Sequence, residues 1–291
     1  MKVFRSLCFA FLAILILHAG WAANLRAQPD ATVSRGELPF KLYGGFLIVM
    51  EGRIGDRGKL KFVLDTGVTH SVIDRKLADR MSGPRRQSGK VLSFDKQISA
   101  EWVEVPEIEF GPVHASNFSM MIGDLKYYQS YATQVDAVIG LDLLRLSSFS
   151  IDFDAHRVTF GPVNTPSGVP LDIGDFCMTV QIMIGDSKVR VLVDTGAQAL
   201  VLYEDRVAGR LPLLKIQRET SGVSMAGLVH SKQAFIPNAK LGSTNLEATV
   251  FLVNSPSGSF LADVDGYLGA AALKAHRLDF NFETNTLAWK R

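Results

Sequence analysis

Cysteine is nearly missing from this chain: among 291 residues only Cys8 and Cys177 occur, and Cys8 falls in a segment that reads as a removable leader. The exported protein then keeps one thiol and no internal disulfide, so its stability must come from core packing. Cys8, in Arg5-Ser6-Leu7-Cys8, also lies too near the start to resemble a lipoprotein acceptor. An excess of either charge is missing as well. Lys and Arg number 31 against 29 Asp and Glu, which gives no broad field to draw the chain onto nucleic acid or anionic membrane. The basic stretch Arg75, Lys76, Arg80, Arg85, Arg86 reads as a solvated face at the end of a short helix. The six histidines, at 18, 70, 114, 156, 230 and 276, show no ligand spacing, so no metal is expected and His70 is given a local hydrogen-bonding or surface role. No Gly-rich turn opens a helix after a strand, so no nucleotide site and no organic cofactor are expected. Tyr127, Tyr128 and Tyr131 cluster without basic stacking partners and read as a lobe surface or cleft wall.

A long apolar run is also absent. Lys2 and Arg5 precede the apolar stretch Leu7 to Leu17, and Ala19-Gly20-Trp21-Ala22-Ala23 follows, which is the layout of a secretory signal peptide. The run falls short of the roughly 20 residues of a bilayer span. Residues 1–23 are therefore set aside from the fold, and the chain is expected to be exported, periplasmic or secreted. Retention of residues 7–23 as a membrane tether is left open. Residues 24–39, with Pro29 and Pro39, form a short lead-in.

What the sequence does hold is a repeat. Phe62-Val63-Leu64-Asp65-Thr66-Gly67 returns as Val191-Leu192-Val193-Asp194-Thr195-Gly196, at an offset of 129 residues. Asp136-Ala137-Val138-Ile139-Gly140 returns as Asp265-Gly266-Tyr267-Leu268-Gly269 at the same offset, and Ile151-Asp152-Phe153 as Leu278-Asp279-Phe280 at 127. Two separated motifs in one register are a duplication, not a coincidence of turn residues. Each copy opens with strand-like runs, Phe46–Met50 and Lys59–Leu64 in one, Met178–Ile184 and Val189–Val193 in the other. The spacing predicts one short helix per copy, over Ile73–Met81 and Tyr203–Leu211, and small hairpins over Val91–Ile98 and Val223–Ser231. Arg157–Phe160 and Thr286–Trp289 read as closing strands. The Pro-, Gly- and Ser-rich stretch 161–170 marks a boundary. Mostly β halves are expected over residues 40–164 and 165–291. Asp136 and Asp265 precede buried-looking Gly segments and are assigned to bonding nearby backbone amides.

The repeated Asp carries the chemistry. One carboxylate can deprotonate a water while a neighbouring carboxylic acid protonates a peptide carbonyl, with no metal and no covalent intermediate. Two like charges so close cannot both ionise, so such a pair shares a proton and titrates as a unit. Asp65 and Asp194 are the candidate pair. Gly67 and Gly196 would let backbone approach the carboxylates and adopt φ values closed to other residues. Thr66 and Thr195 could bond across to the opposite turn and hold the pair in register.

On these residues the chain resembles single-chain aspartic proteases whose halves are similar to retropepsin-like domains, over roughly residues 40–291. The resemblance implies two pseudo-twofold-related acid-protease-type β lobes with a cleft between them. It implies Asp65 and Asp194 as the catalytic dyad, Thr66 and Thr195 as its lock, and Val138-Ile139-Gly140 and Tyr267-Leu268-Gly269 as strands threading behind the Asp-Thr-Gly loops. The implied activity is endopeptidase cleavage of an extended, partly apolar peptide by a monomer with an intramolecular dyad. Pepsins usually place Ser or Thr after the triplet, where this chain has Val68 and Ala197. That loss of a hydroxyl should raise the dyad's pKa and move activity toward mildly acidic or neutral pH. Flaps fall at Ser93–Ile98 and Ser224–His230 by position only. Two rivals remain: a peptide-binding protein of the same fold that does not cut, and a dyad formed between two chains.

Overall fold

The computed structural model describes residues 10–11, 14–16, 30–81, 86–93, 96–131, 133–175, 177–224, 227–247, 249–256 and 262–291. Its strands form two sheets. One contains, in order, Lys215–Ser224, Gly227–Phe235, Thr249–Val253, Leu200–Tyr203, Gly266–Gly269, Ser187–Asp194, Met178–Ile184 and Ala239–Leu241. The other repeats this arrangement with the first half of the chain and continues it through Gly36–Tyr43, Arg157–Phe160, Phe149–Asp152, Arg277–Asn281 and Thr286–Lys290. The last two strands of the chain therefore belong to the sheet of the first half. The mostly β expectation holds, and the duplication in sequence is a duplication in strand order.

The reason for this arrangement lies in the strands that end on the aspartates. Phe62 to Leu64 and Val191 to Val193 are apolar runs, and all six residues are buried. Strands covered on both faces read as continuous apolar runs and accept parallel neighbours. Phe62–Leu64 pairs in parallel with Ala137–Ile139, and Val191–Asp194 with Gly266–Gly269. Each Gly segment thus lies directly beside an aspartate strand. Asp136 and Asp265 do what the sequence assigned them: Lys61 N donates to Asp136 Oδ2 at 2.8 Å and Arg190 N to Asp265 Oδ2 at 2.9 Å.

The helices are shorter than expected. Val72–Asp74 is a strand whose Ile73 and Asp74 pair with Ile122 and Gly123, and the helix occupies only Arg75–Asp79. Asp74 ends the ladder and caps the helix, accepting from Lys76 N at 3.0 Å. In the second half the helix is Glu204–Val207, because Tyr203 is extended and taken by the ladder, where it pairs with Val253. The hairpins are longer than expected: Arg86–Ser93 pairs with Lys96–Val103, and Lys215–Ser224 with Gly227–Phe235. The first strand of each hairpin is polar on both faces over Arg86–Lys90 and Gln217–Ser221 and gives no alternating signal to read. The tips at 94–95 and 225–226 lie outside the described residues, as does the Gly83-Pro84 turn.

Where the halves meet in the shared sheet, Phe149 pairs with Phe280 across the ladder and the rings stack with centroids 4.7 Å apart. Beside them the buried Asp279 accepts from Ser150 Oγ at 2.6 Å and from Arg277 Nε at 2.7 Å. Both phenylalanines are fully buried, so truncation leaves a cavity in the seam. Phe280→Ala should lower stability by about 3–5 kcal/mol, read from the midpoint and slope of urea unfolding.

Candidate active site

Both Asp-Thr-Gly triplets sit at strand ends that face each other. Asp65 N is bound to Ile139 O at 3.0 Å, and Asp194 pairs with Gly269, so each aspartate is fixed from behind by its own half. Across the junction the two turns grip one another. Thr66 N donates to Thr195 Oγ1 at 3.0 Å and Thr195 N to Thr66 Oγ1 at 3.1 Å. Each hydroxyl then donates onward, Thr66 to Val193 O at 2.9 Å and Thr195 to Leu64 O at 3.1 Å. Four reciprocal bonds between fully buried residues leave the turns one relative position.

That position brings the carboxylates together. A Cβ placed on Gly67 would lie 2.5 Å from Asp194 Cγ, and one on Gly196 would lie 2.5 Å from Asp65 Cγ. Each glycine therefore packs against the opposite carboxylate, and any side chain there would push the pair apart. Close approach is the whole reason for glycine. Neither Gly67 nor Gly196 has a positive φ, so the second role expected for them, a backbone conformation closed to other residues, is not used. Each carboxylate accepts at its inner oxygen from its own glycine amide, Gly67 N to Asp65 Oδ1 and Gly196 N to Asp194 Oδ1, both at 2.8 Å. The outer oxygens, Asp65 Oδ2 and Asp194 Oδ2, are buried without a partner. Val68 and Ala197, the residues that follow, have no hydroxyl to offer them.

Both aspartates are fully buried, and burial pushes both carboxyl groups up from the usual carboxylate range. At Asp65 the Gly67 amide, Asp194 and the Gly196 amide pull partly back. At Asp194 the charge of Asp65 adds to the rise. The pair therefore retains a proton at a pH where a lone carboxylic acid has lost it, which is the state that acid and base work together require.

His70 is held apart from this chemistry, 3.7 Å from Asp142 and edge-on to Trp102 with centroids 5.4 Å apart. Among the described residues no group of three or more His, Cys, Asp or Glu side chains could hold a metal ion. No helix among them is long and apolar enough to cross a membrane. The sequence reading missed that the hydroxyls of Tyr127 and Tyr128 are buried, and burial first of all pushes both phenols well above their ordinary range. Only the spacing of the tyrosines was visible in sequence, and it carries no direction for the side chains.

Two outcomes follow from this geometry. Thr195→Ala removes the acceptor of the buried Thr66 N, at a cost of about 1–3 kcal/mol, whereas Thr195→Ser keeps the oxygen and should recover most of the loss in thermal unfolding. The dyad also imposes a sign on pH dependence. A carboxyl raised above its unfolded value of about 4 stabilises the fold fully below that value, and the contribution is lost as pH rises through the folded pKa. Asp194→Asn removes this loss, so its Tm relative to the parent should be higher at pH 7 than at pH 4; an equal offset at both would mean that the pair is not raised.

A family model described as aspartyl protease matches the chain twice, over residues 50–143 and 180–272. No curated protein matches it in sequence. Each match contains one Asp-Thr-Gly triplet and its Gly segment, and together they span more than half of the chain. With two repeated matches and two facing aspartate turns, this chain belongs to the aspartyl protease family.

Proposed function

We propose that this protein is an aspartic endopeptidase that hydrolyses extended peptides by a water activated between Asp65 and Asp194. The observation that carries the reading is the pair itself: two carboxylates pressed together across a reciprocal threonine grip, with both outer oxygens unpartnered. A module that only bound peptide would gain nothing from burying two like charges at a cost of several kcal/mol. In the reaction one carboxylate takes a proton from the water as its oxygen attacks the scissile carbonyl carbon. The other gives its proton to the carbonyl oxygen. On collapse the protonated carboxyl gives its proton to the leaving nitrogen as the C–N bond breaks, and one hydroxyl of the tetrahedral species returns its proton to the other carboxylate as the new carbonyl forms, so the dyad is left with one proton as before.

The two long hairpins supply the peptide's place. The chain's own Ala10–Phe11 pairs in parallel with Val223–Ser224 of one hairpin, and Ile14–Ile16 pairs antiparallel with Val91–Ser93 of the other. Two separate short strands thus pair with the ends of the two hairpins. Backbone pairing of this kind supports a cleft that takes extended chain by strand addition, with side-chain preference set elsewhere. Export guided by residues 1–23, and a monomer in which one chain supplies both aspartates, complete the proposal.

The test is cleavage of a mixed peptide library by residues 24–291, read by mass spectrometry from pH 3 to 8, beside the same chain carrying Asp194→Asn. The parent should cut, insensitive to chelator, with an optimum in the mildly acidic to neutral range, and the variant should lose about a hundredfold to ten-thousandfold in rate. An optimum near pH 2 would contradict the raised dyad. A folded parent that binds peptides and cuts none would support the binding reading instead.

A further inference from the structure

Two strands near the start of the chain pair with the outer edges of the two hairpins. Ala10 and Phe11 lie opposite Val223 and Ser224 and run parallel to them. Ile14, Leu15 and Ile16 lie opposite Ser93, Leu92 and Val91 and run antiparallel. Only the peptide steps from 11 to 14 separate Phe11 from Ile14, so their Cα atoms are at most roughly 11 Å apart. The two hairpin edges therefore come within a few residues' length of each other. Each hairpin is also packed onto the residue that follows its own triplet: Val91 shares a buried cluster with Val68, and Val229 shares one with Ala197.

This pairing has the symmetry of the dyad. Ser93 pairs with Lys96 at the end of the first hairpin, and Ser224 with Gly227 at the end of the second. The second strands keep the same equivalence, Trp102 lying opposite Met121 in one sheet and Gln233 opposite Phe251 in the other. The pseudo-twofold relation between the halves thus carries Ser93 onto Ser224 and Leu92 onto Val223. A half-turn reverses the direction of a strand that lies across its axis. One chain crossing that axis must run antiparallel to one hairpin edge and parallel to the other, as these strands do. Their register also gives a midpoint. Ile14 and Phe11 lie opposite the equivalent residues Ser93 and Ser224, and Leu15 and Ala10 opposite Leu92 and Val223. Both pairs are centred on the peptide bond between Leu12 and Ala13. Those two residues lie outside the described ones, and the centring rests on the strands that flank them. The same relation exchanges Asp65 and Asp194, whose turns meet through the reciprocal threonine bonds.

Resting on the peptidase reading above, we propose that the chain's own leader is a substrate of its dyad, bound between the two hairpins and cut at the bond between Leu12 and Ala13. The axis on which the leader is centred is the one that relates the two aspartates, so the central bond is the one presented to the pair. The water oxygen joins the carbonyl carbon of Leu12, the C–N bond to Ala13 breaks, and Ala13 becomes a new amino terminus. The substrate class follows from the segment. It is an extended, uncharged, apolar stretch, here Phe9-Ala10-Phe11-Leu12-Ala13-Ile14-Leu15-Ile16, held by backbone pairing on both sides of the cut. Until the cut is made the leader fills the place of any other peptide, so a chain that retains it is blocked. A chain that loses its leader during export is open from the start.

The test follows the full-length chain, folded without membrane, by intact mass and amino-terminal sequencing, beside full-length Asp194→Asn and, as a second control, Asp65→Asn. The parent should lose residues 1–12 and begin at Ala13, at a rate unchanged by dilution because the leader is its own. Both variants should do so about a hundredfold to ten-thousandfold more slowly. A peptide library added to the parent should be cut only as the Ala13 terminus appears. A different new terminus, a rate that falls on dilution, or a library cut while the leader is intact would overturn the proposal and leave the peptidase reading standing. If the full chain cuts neither its leader nor the library while residues 24–291 cut the library, the leader is a block and not a substrate, and the assigned bond is wrong. If residues 24–291 also cut nothing, the peptidase reading falls and this proposal falls with it.

Discussion

Two carboxylates that would repel each other are held in contact, and most of the surrounding structure serves that one demand. Burying a single ionised carboxylate is costly, and burying two side by side is worse. The pair is tolerable because it keeps a proton and because each inner oxygen takes a glycine amide. The threonine grip does the mechanical part. It joins Thr66 and Thr195 to each other's backbone and to Leu64 O and Val193 O, so neither aspartate strand can shift without breaking bonds made by the other. The parallel Gly strands brace the same two ends from behind. The shared sheet, with Phe149 stacked on Phe280, ties the halves a second time, away from the site.

Duplication explains why the site is a pair, and departures from duplication explain what one copy could not do. The grip, the glycine contacts and the inner hydrogen bonds occur twice with almost equal lengths. The Tyr127-Tyr128 pair occurs once in the sequence, and among the described residues so does the run of the last two strands into the first half's sheet.

The repeat made much of this legible in sequence. The apolar runs before Asp65 and Asp194 and the fixed offset to the Gly segments pointed to paired aspartate strands, and the amide bonds of Asp136 and Asp265 followed from their place before those segments. What sequence could not show depends on direction or distance. Helix periodicity over Ile73–Met81 did not reveal that Ile73 and Asp74 were taken by a ladder. The polar first strands of the hairpins hid their length. The glycines of the triplets looked like conformational specialists and proved to be spacers, needed for what faces them. The tyrosines were visible as a cluster, yet where their hydroxyls lie is settled only by the packing of the turn that carries them.

The central claim is that Asp65 and Asp194 of one chain form a single coupled site. A potentiometric difference titration between the parent and the double variant Asp65→Asn, Asp194→Asn tests it most directly, because it counts the protons that these two groups hold. The account predicts that the pair keeps about one proton per chain well above the ordinary carboxyl range of about 4, with two separated steps. Loss of both protons together near that ordinary value would show two independent carboxylates and would contradict it.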